Sequence, residues 1–195
     1  MTSRRTVCAL PFFCLLLVFP LLITRAAAQT VTIENVVFAD RVTIGGESVP
    51  LRNAALLRYL RFIKVYVAAL YLPASAPGAD VLTDVPKRLE IAYLMSFAKD
   101  DFAKGAAPVL ERNLTAAELA AVQERIDRLN AAYRDVQAGD RYALTYAPGE
   151  GTVLTLNDEP LVTIEGADFA AAYFGVWLGR EPLDNKLKRD LLRGP

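Results

Sequence analysis

The sequence predicts an α+β domain: one mainly antiparallel sheet with helices packed on one of its faces. Three observations predict it. Arg61 to Leu72 (RFIKVYVAALYL) is rich in β-branched and aromatic residues on both alternations, the pattern of a central strand covered on both sides. Residues 115–136 carry one apolar stripe at helical spacing. Three short alternating segments between 141 and 164 are separated by turn-forming residues and followed by two helical segments.

The chain begins with a different kind of segment. Met1 to Arg5 is basic, Val7 to Ile23 is apolar, and Ala26-Ala27-Ala28 offers a small-residue cleavage pattern. That order defines a secretory signal peptide, so residues 1–28 are expected to be removed and residues 29–195 to form the working domain. The expected location is periplasmic or secreted. A retained anchor is the alternative, weakened by Pro11 and Pro20 in the apolar run.

Loss of Arg4, Arg5 and Arg25 from the 22 basic residues leaves 19 against 22 acidic ones, a net charge near −3. Overall charge therefore favours neither nucleic acid nor an anionic membrane surface. Both cysteines, Cys8 and Cys14, lie in the signal, and the chain has no histidine. These absences exclude Ser-His-Asp and Cys-His catalysis, disulfides, and His- or Cys-ligated metals in the mature protein. No cofactor or metal site is expected.

Within the domain, Val31–Ala39 reads as a strand and Asp40-Arg41 as a turn into Val42–Ile44, with Gly45-Gly46 turning again. Val49–Arg58 is apolar without a clear period. In the Arg61–Leu72 strand, alternation puts Lys64 and Tyr66 on one face. Pro73–Asp84 is a loop, with one helical turn at Ala79–Leu82. Lys87–Met95 is a strand carrying Leu89, Ile91, Tyr93 and Met95 on one face.

Lys99–Asn113 reads as a helix despite Gly105 and Pro108. Thr115 and Glu118 form a capping box for the next helix, expected to run to Val136. After the meander, Asp168 is expected to cap a buried helix over Phe169–Leu178. Pro182 is expected to start a last amphipathic helix with Leu183, Leu187 and Leu191 on one side.

Several segments carry a resemblance. Arg61–Leu72 is similar to the chalcone isomerase strand K-F-x-K-F-T-x-x-G-x-Y-L, matching at Phe62, Lys64, Tyr71 and Leu72. Asn53–Arg58 resembles that family's G-A-G-V-R segment. Phe174–Leu183 resembles the helix and turn near its C-terminus. Together the chain from Val31 to Leu192 resembles the exported bacterial chalcone isomerase-like proteins.

The resemblance implies an open-faced β-sandwich with a cleft between the large sheet and a helical layer, and no cofactor. It also implies a choice of roles, because the family contains isomerases, non-catalytic fatty-acid binders and members without an assigned role. Arg58 falls at the family's substrate-facing arginine, and is either a ligand contact or a structural ion pair. Tyr66 replaces the isomerases' threonine, Phe102 their helix tyrosine, and Val176 a late Ser/Thr. Lys64 matches the family and reads as a framework charge.

The candidate ligand-binding set is therefore Arg58, Lys64, Tyr66, Phe102 and Val176, with no catalytic residue assigned. The expected partner is a small amphipathic ligand such as a fatty acid. An isomerase (intramolecular lyase) acting through Arg58, or an interaction domain with a filled cleft, are the alternatives.

Overall fold

A computed structural model describes residues 30–76, 78 and 81–193. The expected signal peptide, and Ala79 and Asp80 of the expected helical turn, lie outside the described residues.

The element order is β1 (Thr30–Ile33), β2 (Val36–Ala39), β3 (Arg41–Ile44), β4 (Glu47–Tyr59), β5 (Ile63–Tyr71), β6 (Lys87–Tyr93), α1 (Lys99–Asn113), α2 (Ala116–Ala132), β7 (Arg141–Ala147), β8 (Gly151–Leu156), β9 (Glu159–Ile164), α3 (Ala167–Leu178) and α4 (Asn185–Leu192). Strands β3 to β9 form one seven-stranded sheet in chain order, every neighbouring pair antiparallel. β1 and β2 pair as a separate hairpin.

Tight turns dictate this meander. Glu34-Asn35, Gly45-Gly46, Leu60-Arg61 and Asn157-Asp158 all hold two successive residues at positive φ. Such two-residue turns match the twist of antiparallel strands. The first of them splits the expected Val31–Ala39 strand into β1 and β2, because asparagine tolerates the left-handed region that a continuous strand would not visit. Leu60-Arg61 likewise trims the expected Arg61–Leu72 strand to Ile63–Tyr71. The apolar segment without a clear period proves to be β4, whose irregularity reflects two interruptions of its register with β5.

The sheet is covered on both faces, as the double alternation of β5 requires. Tyr66, Ala68 and Leu70 join Leu89, Ile91, Leu144 and Leu154 under the four helices. Val67, Ala69 and Tyr71 pack instead with Phe38, Ile44, Val49 and Ala54, beneath the β1–β2 hairpin. The hairpin is tied down at two points. The Tyr71 hydroxyl donates to the Ala39 carbonyl at 3.1 Å, and Arg141 donates to the Val37 carbonyl at 2.9 Å.

Three helix boundaries differ from expectation. The Thr115–Glu118 capping box is present, but α2 ends at Ala132 and Tyr133 is its C-cap. Residues beyond it extend so that Val136 bridges Phe97. The N-cap of α3 is Gly166, at φ 100°, and Asp168 lies in the first turn, where its carboxylate faces the positive end of the helix dipole. There it receives two hydrogen bonds from Arg125 of α2, at 2.7 and 2.6 Å. The last helix starts after Asp184, whose carboxylate accepts from the Leu187 backbone N–H at 2.6 Å, so Leu183 is left outside it.

Lys87 is fully buried at the start of β6. Its ammonium donates to the Thr83 and Val85 carbonyls at 2.8 and 2.9 Å and lies over the Tyr146 ring at 4.5 Å. Burial lowers its pKa to about 8.

Thr152, also fully buried, has a hydroxyl with no hydrogen-bond partner among the described residues. Thr152→Val removes that unmet group at nearly constant volume. It should raise stability by about 1 kcal/mol in a urea titration; a loss of stability would show that the hydroxyl is satisfied. In the same strand Gly151 has φ 102°, and an added Cβ would lie 2.6 Å from the Ile164 carbonyl oxygen. Gly151→Ala should therefore destabilise the β8–β9 pairing, opposite in sign to Thr152→Val.

Candidate functional site: an aromatic cavity between sheet and helices

The helices do not settle fully onto the sheet. Between them lies a cavity of about 680 Å³. Its floor is Leu89, Ile91, Leu144 and Leu154 from the sheet, and its roof is Phe102, Ala106, Val176 and Trp177 from α1 and α3. The floor follows from strand alternation: Leu89 and Ile91 share a face of β6 and pair with Leu144 and Tyr142 of β7.

One end of the cavity is an aromatic wall. Phe102 stacks on Tyr133 at 4.5 Å and meets Tyr142 edge-on at 5.3 Å, and Tyr93 stands edge-on to Tyr142 at 6.1 Å. These are preferred ring geometries. The Tyr142 hydroxyl is fixed from both sides by Arg134, accepting from its N–H at 2.8 Å and donating to its carbonyl at 3.0 Å. The hydroxyls of Tyr133 and Tyr173 bond each other at 3.0 Å, and Trp177 donates to the Tyr66 hydroxyl at 3.1 Å.

Three O–H groups remain available to an occupant, one of them on whichever of Tyr133 and Tyr173 accepts in their mutual bond. Tyr66 accepts from Trp177 and keeps its own O–H. The Tyr93 hydroxyl has no hydrogen-bond partner among the described residues. Among the lining residues the charged ones are Arg58, Asp101 and Asp184. Both carboxylates cap helices: Asp101 accepts from the Ala98 N–H at 3.0 Å, and Asp184 holds α4 as described. No His/Cys/Asp/Glu cluster able to hold a metal occurs among the described residues.

Of the five sequence-derived candidates, Tyr66, Phe102 and Val176 line the cavity together. Arg58 lines its edge, but its guanidinium reaches away to Glu34 at 3.2 Å and its side chain is 43% exposed. Lys64 does not line the cavity. It bonds the other oxygen of Glu34 at 2.5 Å.

The expectation that Lys64 and Tyr66 share a face is wrong, for a local reason. Leu57 pairs with Tyr66, but the next β4 residue, Arg58, pairs with Lys64, so Val65 is an extra residue in β5. This bulge brings Val65 and Tyr66 both to the cavity and turns Lys64, with Arg58, toward the β1–β2 hairpin.

Sequence reasoning did not single out Tyr93, Tyr133, Tyr142, Tyr173 or Trp177 as site residues. Alternation in β6 and the dense aromatic content of α3 were the available signals. Each belongs to a segment read as a strand or as an apolar helix face, and a ring that lines a cavity looks in sequence like one that fills a core.

The chalcone isomerase-like family profile matches residues 30–193. The chain belongs to the chalcone isomerase-like family. The crystal structure of an Arabidopsis thaliana fatty-acid binding protein shares its fold, with a TM-score of 0.62 at 15% identity, covering 84% of this chain and 96% of that one. No curated protein matches the chain. The α+β class and the antiparallel sheet under helices are those of this family, as the sequence predicts.

Burial holds the phenols of this chalcone isomerase-like domain in their neutral form. It pushes the pKa values of Tyr66, Tyr93 and Tyr133 above the ordinary tyrosine range, and that of Tyr173 to about 12. In the unfolded chain they ionise near pH 10. Their raised folded values mean that this stability is fully present below about pH 10 and is lost as pH rises beyond it. Alkaline denaturation should therefore set in above about pH 10, with phenolate absorbance appearing as the fold is lost. Phenolate formation by all the tyrosines near pH 10 in a still-folded protein would contradict it.

Proposed function

We propose that this protein is an exported, non-catalytic binder of a fatty acid or similar amphipathic molecule, held in the cavity between the sheet and the α1/α3 layer. The observation that carries the reading is the cavity: about 680 Å³, walled by apolar and aromatic side chains. That size lies within the roughly 300–1,000 Å³ of small-molecule sites. It weighs against an interaction domain whose cleft is filled by its own side chains. The structural neighbour from Arabidopsis thaliana is a fatty-acid binding protein, which agrees with the reading at the level of fold.

An isomerase reading finds less support in the wall. Phe102 and Val176 present no polar atom at the positions where the resemblance expects isomerase hydroxyls. Export is supported by the basic, apolar, Ala-x-Ala order of residues 1–28; the mass of the protein recovered from periplasm or medium tests it, with a start at Gln29 expected.

In this reading the tail lies along Tyr66, Phe102 and Val176, and the carboxylate rests at the mouth beside Arg58, the sole cation among the lining residues. Arg58 uses one short contact to Glu34, leaving other N–H groups for a ligand. Lys64 acts through Glu34, helping to neutralise it and so releasing Arg58 for the ligand.

Titration calorimetry with hexadecanoate should show Arg58→Ala weaker by up to about tenfold, a modest loss because the site is half exposed. Glu34→Gln should bind more tightly, since it frees the guanidinium. No binding by the unaltered protein would defeat the reading. Equal affinities in all three would make Arg58 solely a partner of Glu34. Efficient closure of a chalcone to a flavanone would favour the isomerase instead.

A further inference from the structure

The lining residues Tyr59 and Ile63 are exposed, which places a mouth of the cavity beside the β4–β5 turn, and apart from Arg61 that turn is apolar. Phe62 is 84% exposed, Leu60 67% and Tyr59 61%, with Ile63, Met95 and Leu183 also exposed. Tyr59, Ile63, Met95 and Leu183 belong to the cavity lining, so the outer patch and the inner wall are one continuous apolar surface.

The turn is an unusual place for these residues. Leu60 and Arg61 are held at φ 49° and 68°, a left-handed conformation that glycine or asparagine would adopt at lower cost. The conformation projects Phe62 and Leu60 outward rather than into either core. Arg61 beside them has no ion-pair partner among the described residues. Exposed rings and aliphatic groups flanked by an unpaired cation match the chemistry of a bilayer interface, where aromatic residues sit at headgroup depth and cations meet phosphates.

We infer that the β4–β5 turn, residues 59–63, inserts into a lipid bilayer surface and serves as the portal through which the ligand passes between membrane and cavity. This inference rests on the ligand-binding reading above. The net charge near −3 of residues 29–195 gives no general attraction to membranes. The contact is therefore local, made by apolar insertion of Leu60 and Phe62 and aided by Arg61. Continuity with the cavity selects a bilayer over a second copy of the chain, because an occupant docked against the mouth must let the ligand through.

The test uses Leu60→Asn combined with Phe62→Ser, which change neither cavity lining nor core, and Arg61→Glu. Asparagine suits the positive φ of the turn. The unaltered protein, loaded with a fluorescent fatty acid, is mixed with vesicles of equimolar phosphatidylcholine and phosphatidylglycerol. Its transfer rate should rise in proportion to vesicle concentration, the mark of transfer by collision.

The double variant should transfer at least about tenfold more slowly, with unchanged thermal stability and unchanged fatty-acid affinity in vesicle-free solution. Arg61→Glu should slow transfer to these vesicles and spare transfer to pure phosphatidylcholine. A rate independent of vesicle concentration, or equal in the double variant, would overturn the portal while leaving ligand binding intact. So would a dimer in sedimentation that the double variant dissolves. Absence of fatty-acid binding by every form would instead overturn the ligand reading, and flotation with the vesicles then decides the membrane contact alone: co-flotation of the unaltered protein but not the double variant upholds it, and its absence overturns it.

Discussion

The cavity depends on one constraint: α1 and α3 cannot close onto the sheet. Rings hold them off. Phe102 of α1 rests on Tyr133 and against Tyr142, whose hydroxyl is fixed by the Arg134 backbone. Trp177 of α3 is braced on the Tyr66 hydroxyl, and Tyr173 on that of Tyr133. Aliphatic side chains in these positions could change rotamer and fill the gap, whereas rings pinned by hydrogen bonds have few alternatives. Raised phenol pKa values are a consequence of the same burial, since apolar surroundings disfavour the charged phenolate.

The sheet supplies the other half of the arrangement. β5 is apolar on both faces, so it must be covered twice, by helices on one side and by the β1–β2 hairpin on the other. The bulge at Val65 is where these two demands separate. On its C-terminal side, alternation feeds the two cores in turn. On its N-terminal side, Lys64 and Arg58 turn to Glu34 at the hairpin tip, which both cations hold in its ionised form. One extra residue thereby places the two cations beside the mouth rather than within the cavity.

Much of this was legible in the sequence, for identifiable reasons. The capping box at Thr115, the alternation of β6 and the turn residues of the meander act locally, and the structure follows them. The split of Val31–Ala39 was hidden because Glu34-Asn35 makes a turn without glycine or proline. The helical stripe continued to Val136 because Tyr133 and Val136 remain buried after the helix has ended. At the site, Tyr66, Phe102 and Val176 were reachable through the family resemblance. The direction of Arg58 was not, because it depends on a one-residue register shift and on an acid 24 residues away. No pattern in sequence distinguishes an aromatic residue that fills a core from one that props a cavity open.

Everything in this arrangement points to a cavity that holds an amphipathic small molecule. Native mass spectrometry of the gently purified protein reads this directly. The expected result is a population heavier than the polypeptide by the mass of one long-chain carboxylic acid or close relative. Dissociation should release that molecule, and filling the cavity with Val176→Trp should abolish the heavier population without unfolding the protein. A polypeptide mass alone, unchanged after incubation with fatty acids and identical in Val176→Trp, would contradict it.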